Sequence, residues 1–137
     1  MSQAEGTQGK SPLGALTFLV VEDESIISIL IEDMLLALGC PSVWHACSVG
    51  QAMALLAERR PDAALLDVNL SGEAAYPIAE NLEAQRIPFV FATGYGASGI
   101  PERWAEKPVI QKPFTLDSLE RVLLGAFNAE IQRMGGA

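Results

Sequence analysis

The fold of this chain is decided by the stretch Ala64-Leu65-Leu66-Asp67-Val68-Asn69. Its apolar residues form a short run that predicts a β-strand buried on both faces of a sheet. The run ends in the carboxylate of Asp67, and Gly72 follows closely. An aspartate in this position often does no more than begin a turn. In open α/β sheets, however, ligands bind just beyond the carboxyl ends of the strands, which makes Asp67 a candidate functional residue.

Length and composition indicate a single domain. The chain has 137 residues, half of them hydrophobic, which is enough to bury a proper core. Its longest nearly apolar segment, residues 25–38, contains Glu32 and Asp33 and is too short and too charged to span a membrane. Residues 1–14 have no apolar signal-peptide core, so we expect a cytoplasmic protein and interpret these residues as a disordered leader.

Charge and cysteine content exclude two classes of function. The net charge of −8 argues against nucleic-acid binding, because there is no stripe of Lys and Arg to meet phosphates. Cys40 and Cys47 are the only cysteines, and with the single histidine, His45, they do not make a zinc site. We interpret both as reduced small residues and His45 as an ordinary strand residue.

Strand and helix patterns alternate along the chain. Strands are predicted at 16–21, 43–46, 63–67, 87–92 and 109–111, and helices at 26–38, 51–58, 75–85 and 116–126, with room for only a short helix within 97–107. This alternation predicts an α/β fold, namely a doubly wound five-stranded parallel sheet with helices on both faces and a short or irregular fourth helix.

Chemically useful side chains follow four of these strands: Glu22, Asp23, Asp67, Thr93 and Lys112. Carboxyl ends of parallel strands meet at one edge, so these residues share a pocket if the first, third, fourth and fifth strands are neighbours in the sheet. Neighbouring carboxylates repel each other unless a cation intervenes, and hard oxygen ligands favour Mg²⁺. An aspartate can attack phosphorus, while a metal, a lysine and a hydroxyl neutralise the phosphoryl oxygens.

The pattern Val-Val-Glu22-Asp23-Glu24, Leu-Leu-Asp67-Val-Asn69, Thr93 and Lys112-Pro113-Phe114 resembles the receiver domain of bacterial two-component response regulators. The resemblance covers residues 16–130 and implies a flavodoxin-like receiver domain at 15–131, followed by a flexible tail at 132–137. It implies that Asp67 accepts a phosphoryl group from a histidine kinase or histidine phosphotransferase. It further implies that Glu22, Asp23, Asp67 and the backbone carbonyl of Asn69 hold Mg²⁺, and that Thr93 and Lys112 bind the phosphoryl oxygens.

Two departures from the common receiver pattern concern the switch. Val109 stands where most receivers have an aromatic residue, three positions before the lysine. Residues 88–95 instead resemble the subfamily named for its Phe-Ala-Thr-Gly-Tyr motif, mostly single-domain receivers of alphaproteobacteria. There Gly94 would loosen the loop and Tyr95 would be the aromatic reporter; the alternative is that Tyr95 is a loop aromatic that packs on the short helix. Ser71 occupies a position where many receivers have proline, which also suits this subfamily.

The resemblance implies a single-domain response regulator that relays or stores phosphate or signals by protein contact, and that is a phosphoacceptor rather than an enzyme. We expect residues 93–107 to rearrange on phosphorylation. Alternatives are a haloacid-dehalogenase-type phosphatase, a flavodoxin-like cofactor binder and a pseudo-receiver with a constitutive binding role. The first helix is unusually apolar, so its isoleucines form either a docking surface or one wide buried face.

Overall fold

The computed structural model describes residues 12–94 and 100–135, and its centre is a five-stranded parallel sheet. The strand order is β2-β1-β3-β4-β5, and every neighbouring pair is parallel. The strands are β1 (Phe18–Val21), β2 (Val43–Ala46), β3 (Ala63–Asp67), β4 (Phe89–Thr93) and β5 (Val109–Gln111). All residues of β3 and β4 are buried, as the apolar runs predicted.

Helices cover both faces of the sheet, which confirms the predicted doubly wound fold. The α-helices are α1 (Ser25–Ala37), α2 (Val49–Glu58), α3 (Tyr76–Ala84), α4 (Leu116–Ala126) and α5 (Asn128–Gly135). Apolar residues of α2 and α3 form one core with alternate residues of the central strands. Apolar residues of α1 and α4 form the second core on the opposite face. Among the described residues, no helix is both long enough and apolar enough to cross a bilayer.

Both predicted chain ends need correction. Pro12–Ala15 forms a 3-10 helix where the sequence predicted the end of a disordered leader. Its Leu13 is fully buried, and the Leu13 carbonyl accepts a hydrogen bond from Cys40 Sγ at 3.2 Å. Helix α5 extends to Gly135, through most of the predicted flexible tail, and its Ile131 packs on the core. Residues 1–11 and 136–137 lie outside the described part of the chain.

A short hairpin between β3 and α3 was not predicted. Asn69–Leu70 pairs antiparallel with Glu73–Ala74. Ser71 and Gly72, the two residues between, have φ angles of 54° and 87°. Positive φ at both central positions belongs to the tightest class of hairpin turn. The turn is closed further by the Gly72 N–H, which donates to Asn69 Oδ1 at 2.9 Å.

The short helix that the sparse pattern at 97–107 predicted is the 3-10 helix Glu102–Trp104, which lies between β4 and β5. Trp104 is buried, and its ring lies 6.0 Å from Phe89 and 6.1 Å from Phe91, centroid to centroid. Arg103 Nη1 pairs with Glu80 Oε2 on α3 at 2.6 Å. The aromatic contacts therefore anchor the segment that precedes β5 on the sheet.

We expect Trp104→Ala to lower the free energy of unfolding by about 3–5 kcal/mol, because it leaves a cavity against two buried rings. Urea unfolding followed by circular dichroism measures the change. Trp44→Ala is the matched control, since Trp44 is half-buried on the edge strand β2 under Arg59, and it should cost about 1–2 kcal/mol. Equal losses in the two variants would contradict this account of the anchor.

Candidate functional site

The acidic cluster lies at the carboxyl edge of the sheet. Val21 at the end of β1 is in register with Leu66 of β3, so Glu22 and Asp67 follow paired positions. Ligand oxygens of Glu22, Asp23 and Asp67 all lie within 4.8 Å of one another. Asp67 is the buried last residue of β3. The structure therefore brings together the three carboxylates that the sequence predicted to meet.

Lys112 supplies the positive charge of the cluster from the end of β5. Its Nζ lies 3.2 Å from Glu22 Oε1 and 3.2 Å from Asp67 Oδ2. Burial lowers the pKa of the ammonium group, but the attraction of Asp67 and Glu22 outweighs this effect, and the pKa lies above its ordinary value. The backbone N–H of Lys112 donates to the Thr93 carbonyl at 2.8 Å, which fixes the lysine beside β4.

Glu22 is the most deeply buried carboxylate of the cluster, with 2 % of its surface exposed. Burial raises its pKa to about 7, and the Asp67 carboxylate adds to this shift. The Glu24 N–H, which donates to Glu22 Oε2 at 3.2 Å, and the Lys112 ammonium act in the opposite direction. Burial therefore favours the protonated form of Glu22.

Asp23 and Asp67 have hydrogen-bonded partners of their own. The Ser71 hydroxyl donates to Asp23 Oδ2 at 2.6 Å, and this bond is the main reason that the pKa of Asp23 lies below its ordinary value. The Asn69 backbone N–H donates to Asp67 Oδ1 at 3.3 Å. The Ser71 contact was not predicted, because no local pattern pairs residues 48 positions apart.

An open cavity of about 670 Å³ lies over the cluster. Its walls include Asp23, Asp67, Asn69, Ser71, Thr93, Gly94 and Lys112. The structure therefore places each predicted phosphoryl-binding and metal-binding residue at this cavity, except Glu22, which is not one of its lining residues. Tyr95, the predicted reporter, lies outside the described residues.

The exposure of helix α1 excludes one of the two predicted arrangements of its isoleucines. Ile26, Ile29 and Leu30 are 78 %, 57 % and 49 % exposed, so its apolar residues do not form one buried face. Ser28 of the same helix is buried, and its Oγ lies 2.7 Å from Nδ1 of His45. His45 also lies near Glu32 of α1, at 3.2 Å from Nε2 to Oε1, which agrees with a structural role for this histidine.

Fold and site together define a phosphoacceptor domain of two-component signalling. Residues 18–123 match the response regulator receiver domain, and the chain belongs to this family. Receiver domains bind Mg²⁺ at an acidic pocket and interact with histidine kinases or phosphotransferases. The oxygen ligands of the Glu22, Asp23 and Asp67 cluster fit a hard divalent cation of this kind.

The chain is similar to receivers of known structure. It is 41 % identical to SdrG from Sphingomonas melonis Fr1, with a TM-score of 0.74, over 86 % of this chain and 99 % of SdrG. It is 26 % identical to the receiver domain of Erythrobacter litoralis PhyR, with a TM-score of 0.74, over 84 % of this chain and 92 % of that domain.

A longer relative also matches. The sensory transduction protein LytT of Enterococcus faecalis (strain ATCC 700802 / V583) is 33 % identical over 85 residues, which are 60 % of this chain. The match covers 35 % of LytT, so the chain spans about a third of the length of this curated relative.

The raised pKa of Glu22 predicts how the stability of the metal-free protein depends on pH. The folded state retains the Glu22 proton up to about pH 7, whereas an unfolded glutamate loses it near 4.5. Stability from this group is therefore fully present below about pH 4.5 and is lost as the pH rises through about 7. We expect Glu22→Gln to stabilise the protein in EDTA by about 1–3 kcal/mol more at pH 8 than at pH 5.

Urea unfolding at both pH values measures this difference. Glu58→Gln is the control, because Glu58 is exposed at the end of α2, and its effect should be the same at both pH values. A pH-independent effect of Glu22→Gln would contradict the prediction.

Proposed function

We propose that Asp67 of this chain accepts a phosphoryl group from a phosphohistidine of a histidine kinase or histidine phosphotransferase. One oxygen of the Asp67 carboxylate forms the new P–O bond while the P–N bond breaks. The electron pair of the P–N bond remains on the imidazole nitrogen. The observation that carries the proposal is the Lys112 ammonium, 3.2 Å from both Asp67 and Glu22 at the mouth of an acidic cavity.

Lys112 has a role both before and after transfer. Before transfer its charge offsets the repulsion between Glu22 and Asp67. A phosphoryl group adds about −1.5 to −2 charges, so the ammonium is then drawn to the phosphoryl oxygens. The Thr93 hydroxyl, at the end of β4, is the second proposed donor to those oxygens.

The proposed metal ligands are Asp23, Asp67 and the backbone carbonyl of Asn69. Glu22, the most deeply buried carboxylate of the cluster, is the further acidic residue of the proposed site. The mutual proximity of the three carboxylates supports it. When bound there, Mg²⁺ neutralises the carboxylates and the charge that develops on the phosphoryl group. The chain itself positions the acceptor oxygen and the counter-charges.

Signalling would follow from the response of the segment after β4. The Lys112 N–H donates to the Thr93 carbonyl at 2.8 Å, so the start of that segment lies beside the lysine that follows β5. Gly94 and Tyr95 are the proposed switch residues, and residues 93–107 the segment that rearranges. The proposed output is protein contact or phosphate relay, by a phosphoacceptor rather than an enzyme acting on other substrates, in the cytoplasm.

The proposed docking surface for the phosphodonor is the exposed apolar side of α1. A groove beside it shares Glu24 and Lys112 with the walls of the acidic cavity. Its apolar lining consists of Ile27, Leu30, Ile31, Met34, Pro113 and Phe114. An apolar surface next to the acceptor suits a partner that must bring a phosphohistidine to Asp67.

Intact mass after incubation with acetyl phosphate and Mg²⁺ tests the acceptor. We expect one phosphoryl group on the wild type, loss of the adduct when EDTA replaces Mg²⁺, and no adduct on Asp67→Asn. Asp33→Asn is the matched control, because Asp33 is exposed on α1, and it should be phosphorylated like the wild type. A wild type without adduct, or an adduct that persists in Asp67→Asn, would contradict the proposal.

Leu30→Gln tests the docking surface, because Leu30 is 49 % exposed and lines the groove. We expect it to lower the rate of transfer from a phosphohistidine donor about tenfold, because a central apolar contact is lost, and to leave the acetyl phosphate reaction unchanged. Leu36→Gln is the control, since Leu36 is similarly exposed at the other end of α1. The docking surface is refuted if both variants slow the two reactions equally.

A further inference from the structure

The proposed metal ligands lie on two separate loops that Ser71 connects. Asp23 lies between β1 and α1, whereas Asn69 belongs to the hairpin that follows β3. The Ser71 hydroxyl reaches from the hairpin to Asp23 Oδ2 at 2.6 Å. Ser71 also lines the cavity with Asp23 and Asp67. The hydrogen bond therefore links two groups that must stay close together to share one cation.

The hairpin itself aims the Ser71 side chain. Ser71 has a φ of 54° and Gly72 a φ of 87°, which makes the turn tight. Asn69 Oδ1 accepts from the Gly72 N–H at 2.9 Å, and Asn69 N–H donates to Asp67 at 3.3 Å. Positive φ disfavours a residue with a side chain, so a serine here accepts a backbone cost that glycine would avoid.

We propose that Ser71 is a positioning residue whose hydroxyl holds the Asp23 carboxylate toward Asp67 and thereby sets the affinity of the site for Mg²⁺. This inference rests on the proposed metal site. The hydroxyl uses Oδ2 of Asp23 and leaves the other oxygen, Oδ1, for the cation. Without the hydroxyl, the Asp23 side chain regains rotational freedom, which has to be lost again when Mg²⁺ binds.

A hydroxyl that competes with Mg²⁺ for Asp23 would have the opposite effect on the Mg²⁺ affinity. A hydroxyl that stabilises the Asp23 carboxylate in the metal-free protein could compete with Mg²⁺ for it. Removing such a competitor would tighten Mg²⁺ binding. The geometry favours positioning, because the same turn that presents Ser71 also presents Asn69 at the cavity.

Calorimetric titration of the 137-residue chain with Mg²⁺ alone, without phosphodonor, tests the proposal. Ser71→Ala removes the hydroxyl, and Ser71→Gly removes it while relieving the positive φ. We expect both to weaken Mg²⁺ binding about three- to tenfold, the effect of losing one hydrogen bond to a charged group at a partly exposed site. Ser118→Ala is the control, because its hydroxyl serves the start of α4, where it accepts from Thr115 N–H at 3.0 Å.

Urea unfolding in EDTA separates positioning from a merely structural role, because loss of a structural contact would lower the stability and not the Mg²⁺ affinity alone. Ser71→Gly should keep its Mg²⁺ defect even where urea unfolding shows it as stable as the wild type. Binding within twofold of wild type in both Ser71 variants, tighter binding, or a defect in Ser71→Ala that Ser71→Gly lacks would each overturn the proposal. A wild type that binds no Mg²⁺ would overturn the metal site itself, which is a distinguishable failure.

Discussion

The site depends on one interaction, the ammonium group of Lys112 held between the carboxylates of Glu22 and Asp67. Each oxygen lies 3.2 Å from Nζ. Without this charge, two buried carboxylates would face each other at the edge of the sheet, and one of them would have to be protonated. Even with it, burial raises the pKa of Glu22 to about 7. The site thus holds more negative charge than one lysine neutralises, which is the condition for recruiting a divalent cation.

The fold supplies this arrangement through strand order. Strands β1, β3, β4 and β5 are consecutive neighbours in the sheet, so the residues at their carboxyl ends form one short row. The hydrogen bond from the Lys112 N–H to the Thr93 carbonyl extends the β4–β5 pairing by one residue beyond Gln111. The charge balance of the pocket is therefore tied to the end of β4, where the chain continues into the proposed switch segment.

The sequence predicted most of the sheet and the acidic site, because buried parallel strands are continuous apolar runs and their polar ends are visible in the pattern. Contacts between distant segments were not predictable in the same way. Leu13 is flanked by Pro12 and Gly14, and its burial against the core and its contact with Cys40 are not visible in the local sequence. Ser28 of the apolar first helix is buried, and its Oγ lies 2.7 Å from Nδ1 of His45 on β2, a contact that the spacing within the helix does not show. The Ser71–Asp23 bond and the extent of α5 depend on tertiary contacts as well. Asn69 closes the hairpin turn, because its Oδ1 accepts a hydrogen bond from the Gly72 N–H.

A crystal structure of the chain with Mg²⁺ and beryllofluoride tests the central claim most directly, since beryllofluoride imitates a phosphoryl group. The account predicts beryllium bonded to a carboxylate oxygen of Asp67, with Lys112 Nζ moved from Glu22 to a fluorine atom. Beryllofluoride bound elsewhere, or absent while Lys112 still bridges Glu22 and Asp67 at saturating concentrations, would contradict it.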